Sequence, residues 1–201
     1  TENLNLENIF KEIEAISKKI EGQPSAELFF ERAMLYALIS DFDGSIEDYD
    51  RAIASSAQEE KAYYYFMRAN TRMGKIEYDF SLKDELEIKE LTEKSDFNFN
   101  NKVQLDLVVK DYEMANELLP DFAFAWFNRG NTLYLLQDYR TAIANYTKSI
   151  EKESDFAEAY FNRALCFLAI NDNEKAINDL SKAGELGIYQ AYALIKTYKD
   201  K

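Results

Sequence analysis

Histidine is absent from all 201 residues, which removes the commonest general base, the commonest zinc ligand and the usual organiser of a catalytic triad. A single cysteine, Cys166, excludes disulfide frameworks and thiolate metal clusters; beside Leu165 and Phe167 it reads as a small apolar packing residue. Prolines are limited to Pro24 and Pro120 and glycines to six, so little interrupts long helices. The longest wholly apolar run, Ala164 to Ile170, is far below the roughly 20 residues that span a bilayer, and no basic-then-apolar leader is present, so direct membrane insertion is not expected. The chain opens on Thr1; the expectation is an original start lost to processing or excision, which leaves the compartment open. Cations are few. Lys and Arg number 24 against 37 Asp and Glu, a net charge of -13, and such a surface repels phosphate backbones. Nucleic acid is therefore not an expected partner. No phosphate-binding glycine loop, no metal-ligand spacing and no nucleophile paired with a base occur, so neither enzyme activity nor a cofactor is expected.

What the chain has is apolar and aromatic: 47% hydrophobic residues, with fourteen Tyr and fourteen Phe spread along it, a composition suited to helices packed by rings. Two phrases recur. Phe-x-Arg-small stands at Phe30 to Ala33, Phe66 to Ala69, Phe127 to Gly130 and Phe161 to Ala164. A second phrase follows each: Ile46-Glu47-Asp48-Tyr49 to Ala52, Val109-Lys110-Asp111-Tyr112 to Ala115, Ile143-Ala144-Asn145-Tyr146 to Ser149, and Ile177-Asn178-Asp179-Leu180 to Ala183. Each unit reads as two amphipathic helices. The first, third and fourth units separate Phe from the last-named ring or leucine by 19 residues, while the second uses 46 and so carries 27 more. This acidic insertion spans about 75–101. Ser81-Leu82-Lys83-Asp84 reads as a helix start, whereas Leu86 to Lys89 and Phe97 to Asn100 alternate like strands. An elongated helical hairpin, a surface loop, and a flap that lays Phe97 and Phe99 over the array are all open readings.

The third unit resembles the tetratricopeptide repeat family: Ala123, Trp126, Gly130, Tyr139, Ala142, Tyr146 and Ser149 stand where the 34-residue pattern wants small, large, small, aromatic, small, aromatic and small residues. The fourth matches through Ala157, Tyr160, Ala164, Ala176, Leu180 and Ala183, the first through Ala26, Phe29, Ala33, Phe42, Tyr49 and Ala52, and the second through Tyr65, Ala69, Tyr112, Ala115 and Pro120. The resemblance implies an all-α, right-handed superhelical array, an α-solenoid, with repeats at 26–61, 62–122, 123–156 and 157–190. Helical stripes flank it. Ile9, Ile13, Ile16 and Ile20 mark a capping helix over 4–22, or a worn second helix of a preceding repeat, and Tyr189, Tyr192, Ile195 and Tyr198 mark a closing helix over 189–199.

In that family the first helices line a concave groove that holds partners as extended peptides or helices. The groove slots carried over here hold Glu27, Phe30, Met34, Ala37 and Leu38, then Tyr63, Phe66, Asn70, Met73 and Gly74. The third repeat supplies Phe124, Phe127, Asn131, Tyr134 and Leu135, and the fourth Glu158, Phe161, Leu165, Leu168 and Ala169. A phenylalanine row, Phe30, Phe66, Phe127 and Phe161, thus runs one per repeat, either as an open apolar strip or as part of the core. Some family members clamp a terminal carboxylate with lysines and asparagines. Asn70 and Asn128 stand at the asparagine slots, but Phe66 and Glu158 replace lysines and Asn162 replaces the last basic group. Glu158 repels an anion. The expected partner is therefore an apolar or amphipathic protein segment, its main chain bonded by Asn70, Asn128 and Asn131.

The arginine of the first phrase sits where the family commonly has leucine. Sixteen residues after Arg32 comes Asp48 and sixteen after Arg163 comes Asp179, while Arg68 meets Asp111 once the insertion is allowed for; Arg129 meets Asn145. The co-occurrence predicts an ion pair between the two helices of a repeat. The function expected is a protein-interaction scaffold. The alternative is a structural or oligomerisation module of a larger protein with its groove filled internally, and self-association stays open.

Overall fold

A computed structural model describes the backbone of residues 6–86 and 94–199 and the side chains of 6–81 and 102–198. The described residues form ten α-helices and no strand: α1 (Leu6–Gly22), α2 (Ala26–Leu38), α3 (Phe42–Ser55), α4 (Gln58–Leu86), α5 (Lys94–Leu118), α6 (Ala123–Leu135), α7 (Tyr139–Lys152), α8 (Ala157–Ala169), α9 (Asn173–Glu185) and α10 (Gln190–Lys199). The architecture is an all-α solenoid in which successive helices pair as hairpins. No described helix is long and apolar enough to cross a membrane.

The short hairpins α2–α3, α6–α7 and α8–α9 share one turn. Ser40, Gln137 and Asn171 adopt φ of 61°, 61° and 62°, the left-handed conformation that ends a helix. The next amide, of Asp41, Asp138 or Asp172, then donates back to the carbonyl of Tyr36, Leu133 or Phe167 at 2.8, 2.9 and 2.9 Å. That same aspartate opens the next helix: its Oδ1 accepts from the amide of Gly44, Thr141 or Lys175 at 3.0, 3.2 and 3.3 Å, satisfying an orphan donor of the first turn. One dipeptide thus stops one helix and starts the other.

Small residues let the paired helices approach. Ala33, Ala52, Ala69, Ala115, Ala164 and Ala183 are fully buried, and the largest fully buried side chains include Tyr49, Tyr112, Tyr146 and Leu180. At Gly130 a Cβ would lie 2.7 Å from the Tyr146 ring, so a tyrosine occupies the space that a side chain would need.

The chain divides into two compact units, one running to Leu118 and the other starting at Leu119. In the first, α1 lays Ile9, Ile13 and Ile16 into the interior beside α2. In the second, α10 closes the far side of α9: Ala191, Leu194 and Ile195 join Ala164, Leu180 and Ala183 in one cluster.

The insertion lengthens both helices of the second hairpin, α4 to 29 residues and α5 to 25. Ser81 does not start a helix. It lies inside α4, where its hydroxyl donates to the Tyr78 carbonyl at 2.8 Å, because residues 75–80 just before it hold neither Gly nor Pro to break the run. Residues 97–100 are helical within α5; a four-residue alternation is too short to set a period, and no strand among the described residues could pair with it. The side chains of Phe97 and Phe99 and the stretch 87–89 lie outside the described residues. Tyr78, on the lengthened part of α4, packs on Phe42 of α3 with ring centroids 5.6 Å apart.

Candidate peptide-binding surfaces

Within each hairpin the phenylalanine of the first helix rests against the buried tyrosine of the second. Phe30–Tyr49, Phe66–Tyr112 and Phe127–Tyr146 have centroids 6.0, 5.8 and 5.9 Å apart and interplanar angles of 55°, 56° and 54°. Phe161 packs instead on the Leu180 cluster. All four are half-buried, so the row is both things the sequence left open: the inner edge of each ring belongs to the core and the outer edge faces solvent.

Above this floor stand exposed apolar side chains. Met34, Leu38 and Tyr63 in the first unit and Phe124, Tyr134 and Leu135 in the second are all exposed, with Leu38 and Leu135 more than half so, at 56% and 55%. Each fills a groove slot. One aromatic that spacing did not single out braces the second unit: Phe156, before α8, lies 5.1 Å from Phe124 and 4.6 Å from Phe127, while Tyr139, placed by the repeat pattern, meets Tyr134 edge-on at 5.5 Å. The signal for Phe156 was the recurring Asp-Phe-Ala of Asp121 to Ala123 and Asp155 to Ala157.

In the first unit the aromatics form a cleft of about 520 Å3 between α2 and α4, lined by Glu27, Phe30, Glu31, Met34, Glu60, Tyr63 and Tyr64. Phe30 lies 5.6 Å from Tyr63 and 5.2 Å from Tyr64, and Tyr63 stacks on Phe66 at 6.4 Å. Burial and then the carboxylates of Glu60 and Glu27 push the Tyr64 phenol up from its ordinary value. A hydrogen bond with Ser25 holds the Glu27 carboxyl below the usual range.

The groove asparagines are partly engaged. Asn70 Oδ1 accepts from the Tyr112 hydroxyl at 2.6 Å. Asn131 Oδ1 accepts from the Tyr146 hydroxyl at 2.8 Å and from Asn162 Nδ2 at 2.9 Å. Their acceptor ends therefore hold the hairpin together, and Asn162 joins α8 to α6 rather than standing alone as a basic-slot substitute. Asn128 is half-buried and its carbonyl accepts from Thr132 at 2.9 Å; Glu158 is exposed.

The arginines lie away from these surfaces, between paired helices. Arg32 grips Asp48 through Nε and Nη2 at 2.6 and 2.8 Å, and Arg163 grips Asp179 through the same atoms at 2.7 and 2.7 Å. Arg68 holds Asp111 likewise, with Nε at 2.9 Å, and Arg72 adds a contact at 3.1 Å. Each guanidinium also reaches the helix before its own hairpin: Arg32 Nη1 donates to Ser17 Oγ and Arg163 Nη1 to Thr147 Oγ1, both at 2.9 Å, and Arg68 Nη1 pairs with Asp50. Asn145, in the acid slot of the third repeat, turns its Nδ2 to the Thr141 carbonyl at 2.8 Å.

A family model described as Tetratricopeptide repeat matches residues 123–156, and a second of the same description matches 145–178; the second begins in α7 and ends in α9, out of phase with the first. No curated protein sequence matches the chain. Among solved structures, a crystal structure of MamA is 16% identical and superposes with a TM-score of 0.67, covering 90% of this chain and 89% of that one. MamA 41-end from Desulfovibrio magneticus RS-1 is 10% identical, with a TM-score of 0.68 and coverage of 90% and 87%. A thermophilic TPR protein in Thermus thermophilus is 14% identical, with a TM-score of 0.59 and coverage of 98% and 93%. At these identities the shared property is the fold.

Proposed function

The chain belongs to the tetratricopeptide-repeat family, and from that premise we propose that it is a protein-interaction scaffold holding an apolar or amphipathic segment of a protein partner on the faces of its first helices. The observation that carries this reading is the coincidence of two sets. Met34, Leu38, Tyr63, Phe124, Tyr134 and Leu135 are exposed, and all six fall on the slots the family turns toward partners. Soluble proteins seldom leave such patches uncovered unless something docks there. The amide-bearing residues Asn70, Asn128 and Asn131 border the same faces and orient a bound main chain, while the apolar side chains supply most of the binding energy.

The test is selection of peptides from a random display library on the intact chain, counter-screened against Leu38→Ser/Phe124→Ser/Leu135→Ser. These exposed positions are preferable to the half-buried phenylalanines, because a lysine at Phe127 would sit against Tyr146 and Phe156 in the interior. The expected outcome is enrichment of an apolar motif that the triple variant binds at least about tenfold more weakly, with unchanged circular dichroism. Absence of enrichment from a chain that self-associates in sedimentation would favour the other reading, a structural or oligomerisation module; exposed Leu6 and Phe10 on one face of α1 are the surface that would serve it.

A further inference from the structure

We propose that the cleft between α2 and α4 receives an arginine or lysine side chain of the bound segment, an inference that rests on the scaffold reading and adds the charge of the partner to it. The floor is aromatic. The Tyr63 and Tyr64 rings lie 5.6 and 5.2 Å from that of Phe30, and Tyr63 remains 48% exposed. The rim is anionic: Glu27 and Glu31 lie one turn apart on α2, with Glu60 facing them from α4, and all three are exposed. No lysine or arginine lines the cleft, so among its lining residues the carboxylates have no internal cation. Ring faces attract cations through their quadrupole, and the surrounding carboxylates add a Coulombic term that salt screens. A neutral apolar side chain gains only the first surface and leaves the carboxylates uncompensated; an acidic one is repelled. The volume, about 520 Å3, lies within the range of small-ligand clefts, and it accommodates a long side chain entering between the two helices. The net charge of -13 favours a basic partner on approach as well as in the cleft.

The test uses small probes on the intact chain, so that it does not depend on finding the partner. Nα-acetyl-arginine methylamide and Nα-acetyl-citrulline methylamide, equal in reach and different in charge, are titrated while backbone amide resonances are followed. The arginine probe is expected to shift the resonances of Phe30, Tyr63 and Tyr64 saturably, the citrulline probe about fivefold more weakly. The variant Glu27→Gln/Glu31→Gln/Glu60→Gln, exposed at every site and checked for helix content, should lose that preference, as should the wild type at about 0.5 M salt. Equal shifts by both probes, shifts elsewhere only, or a preference indifferent to the glutamine changes would each overturn the proposal. The two readings fail separately: selected peptides without a basic residue leave the scaffold standing and remove the cation site, whereas arginine-probe binding without any selected peptide does the reverse.

Discussion

Arg163 and Asp179 show how much a single residue pair carries. Their side chains are only 16% and 10% exposed, and the two parallel hydrogen bonds of a guanidinium on a carboxylate fix the angle between α8 and α9. Such a pair adds modest net stability, but removing one partner strands the other charge. Arg163→Ala and Asp179→Ala are each expected to cost about 3–5 kcal/mol, and urea unfolding of both single variants and the double variant should reveal a coupling of roughly 1–3 kcal/mol; additive losses would show that the pair is incidental. Titration adds a second expectation. Burial pushes the Cys166 thiol up to about 12, and it likewise raises the phenols of Tyr49 and Tyr146. A raised value means that the unfolded chain releases these protons first, so their contribution is complete below about pH 9 and drains away as pH rises toward 12. With no histidine, no side chain of ordinary pKa titrates between about pH 6 and 8. Denaturation midpoints should accordingly be flat across that interval and fall between about pH 9 and 11, and Cys166 should resist thiol reagents until the chain unfolds.

At the scale of helices, the turns make the sharpest forecast. Gln137 holds φ at 61°, where a Cβ costs about 1–2 kcal/mol relative to glycine, partly offset by glycine's greater freedom when unfolded. Gln137→Gly is expected to raise the thermal midpoint by a few degrees, and Gly130→Ala to lower it by more, since its methyl group would meet the Tyr146 ring; scanning calorimetry measures both. Gly130 was legible from spacing alone, because small residues recur at the same place in four phrases. The arginine pairs were legible for the same reason, an acid sixteen residues on. The left-handed Ser40, Gln137 and Asn171 were not, since three different residues occupy one conformation and no type marks it. The insertion was legible as extra length but not in form: Ser81 resembles a cap only while the unbroken helix around it is unseen. The double duty of Asn131, which accepts from Tyr146 and Asn162 at once, needed side-chain geometry that spacing cannot supply.

For the whole molecule, the repeating phrases disclose an all-helical array but not its division at Leu118 and Leu119, because the second phrase and the next first phrase pass across that point without a shift in composition. Charge acts at this scale too. Thirteen uncompensated negative charges repel one another throughout the folded chain, and mobile ions weaken that repulsion beyond about 10 Å. The buried arginine pairs are shielded from the same ions. Raising sodium chloride from about 20 mM to about 300 mM should therefore raise the thermal midpoint; a decrease would show that exposed pairs such as Lys152 with Asp121 outweigh the repulsion.

The third nitrogen of Arg32, Arg68 and Arg163, which reaches Ser17, Asp50 and Thr147 in the helix before each hairpin, has a mechanical meaning. A hairpin held to its neighbour only by greasy contact can roll, since such contact has no preferred direction. A directional bond spanning the joint resists rolling and acts as a tie bar, so within each unit bending is resisted at the joints that carry one. Pulling on such a chain would therefore meet these ties as discrete yield points, each releasing one helix pair at a time.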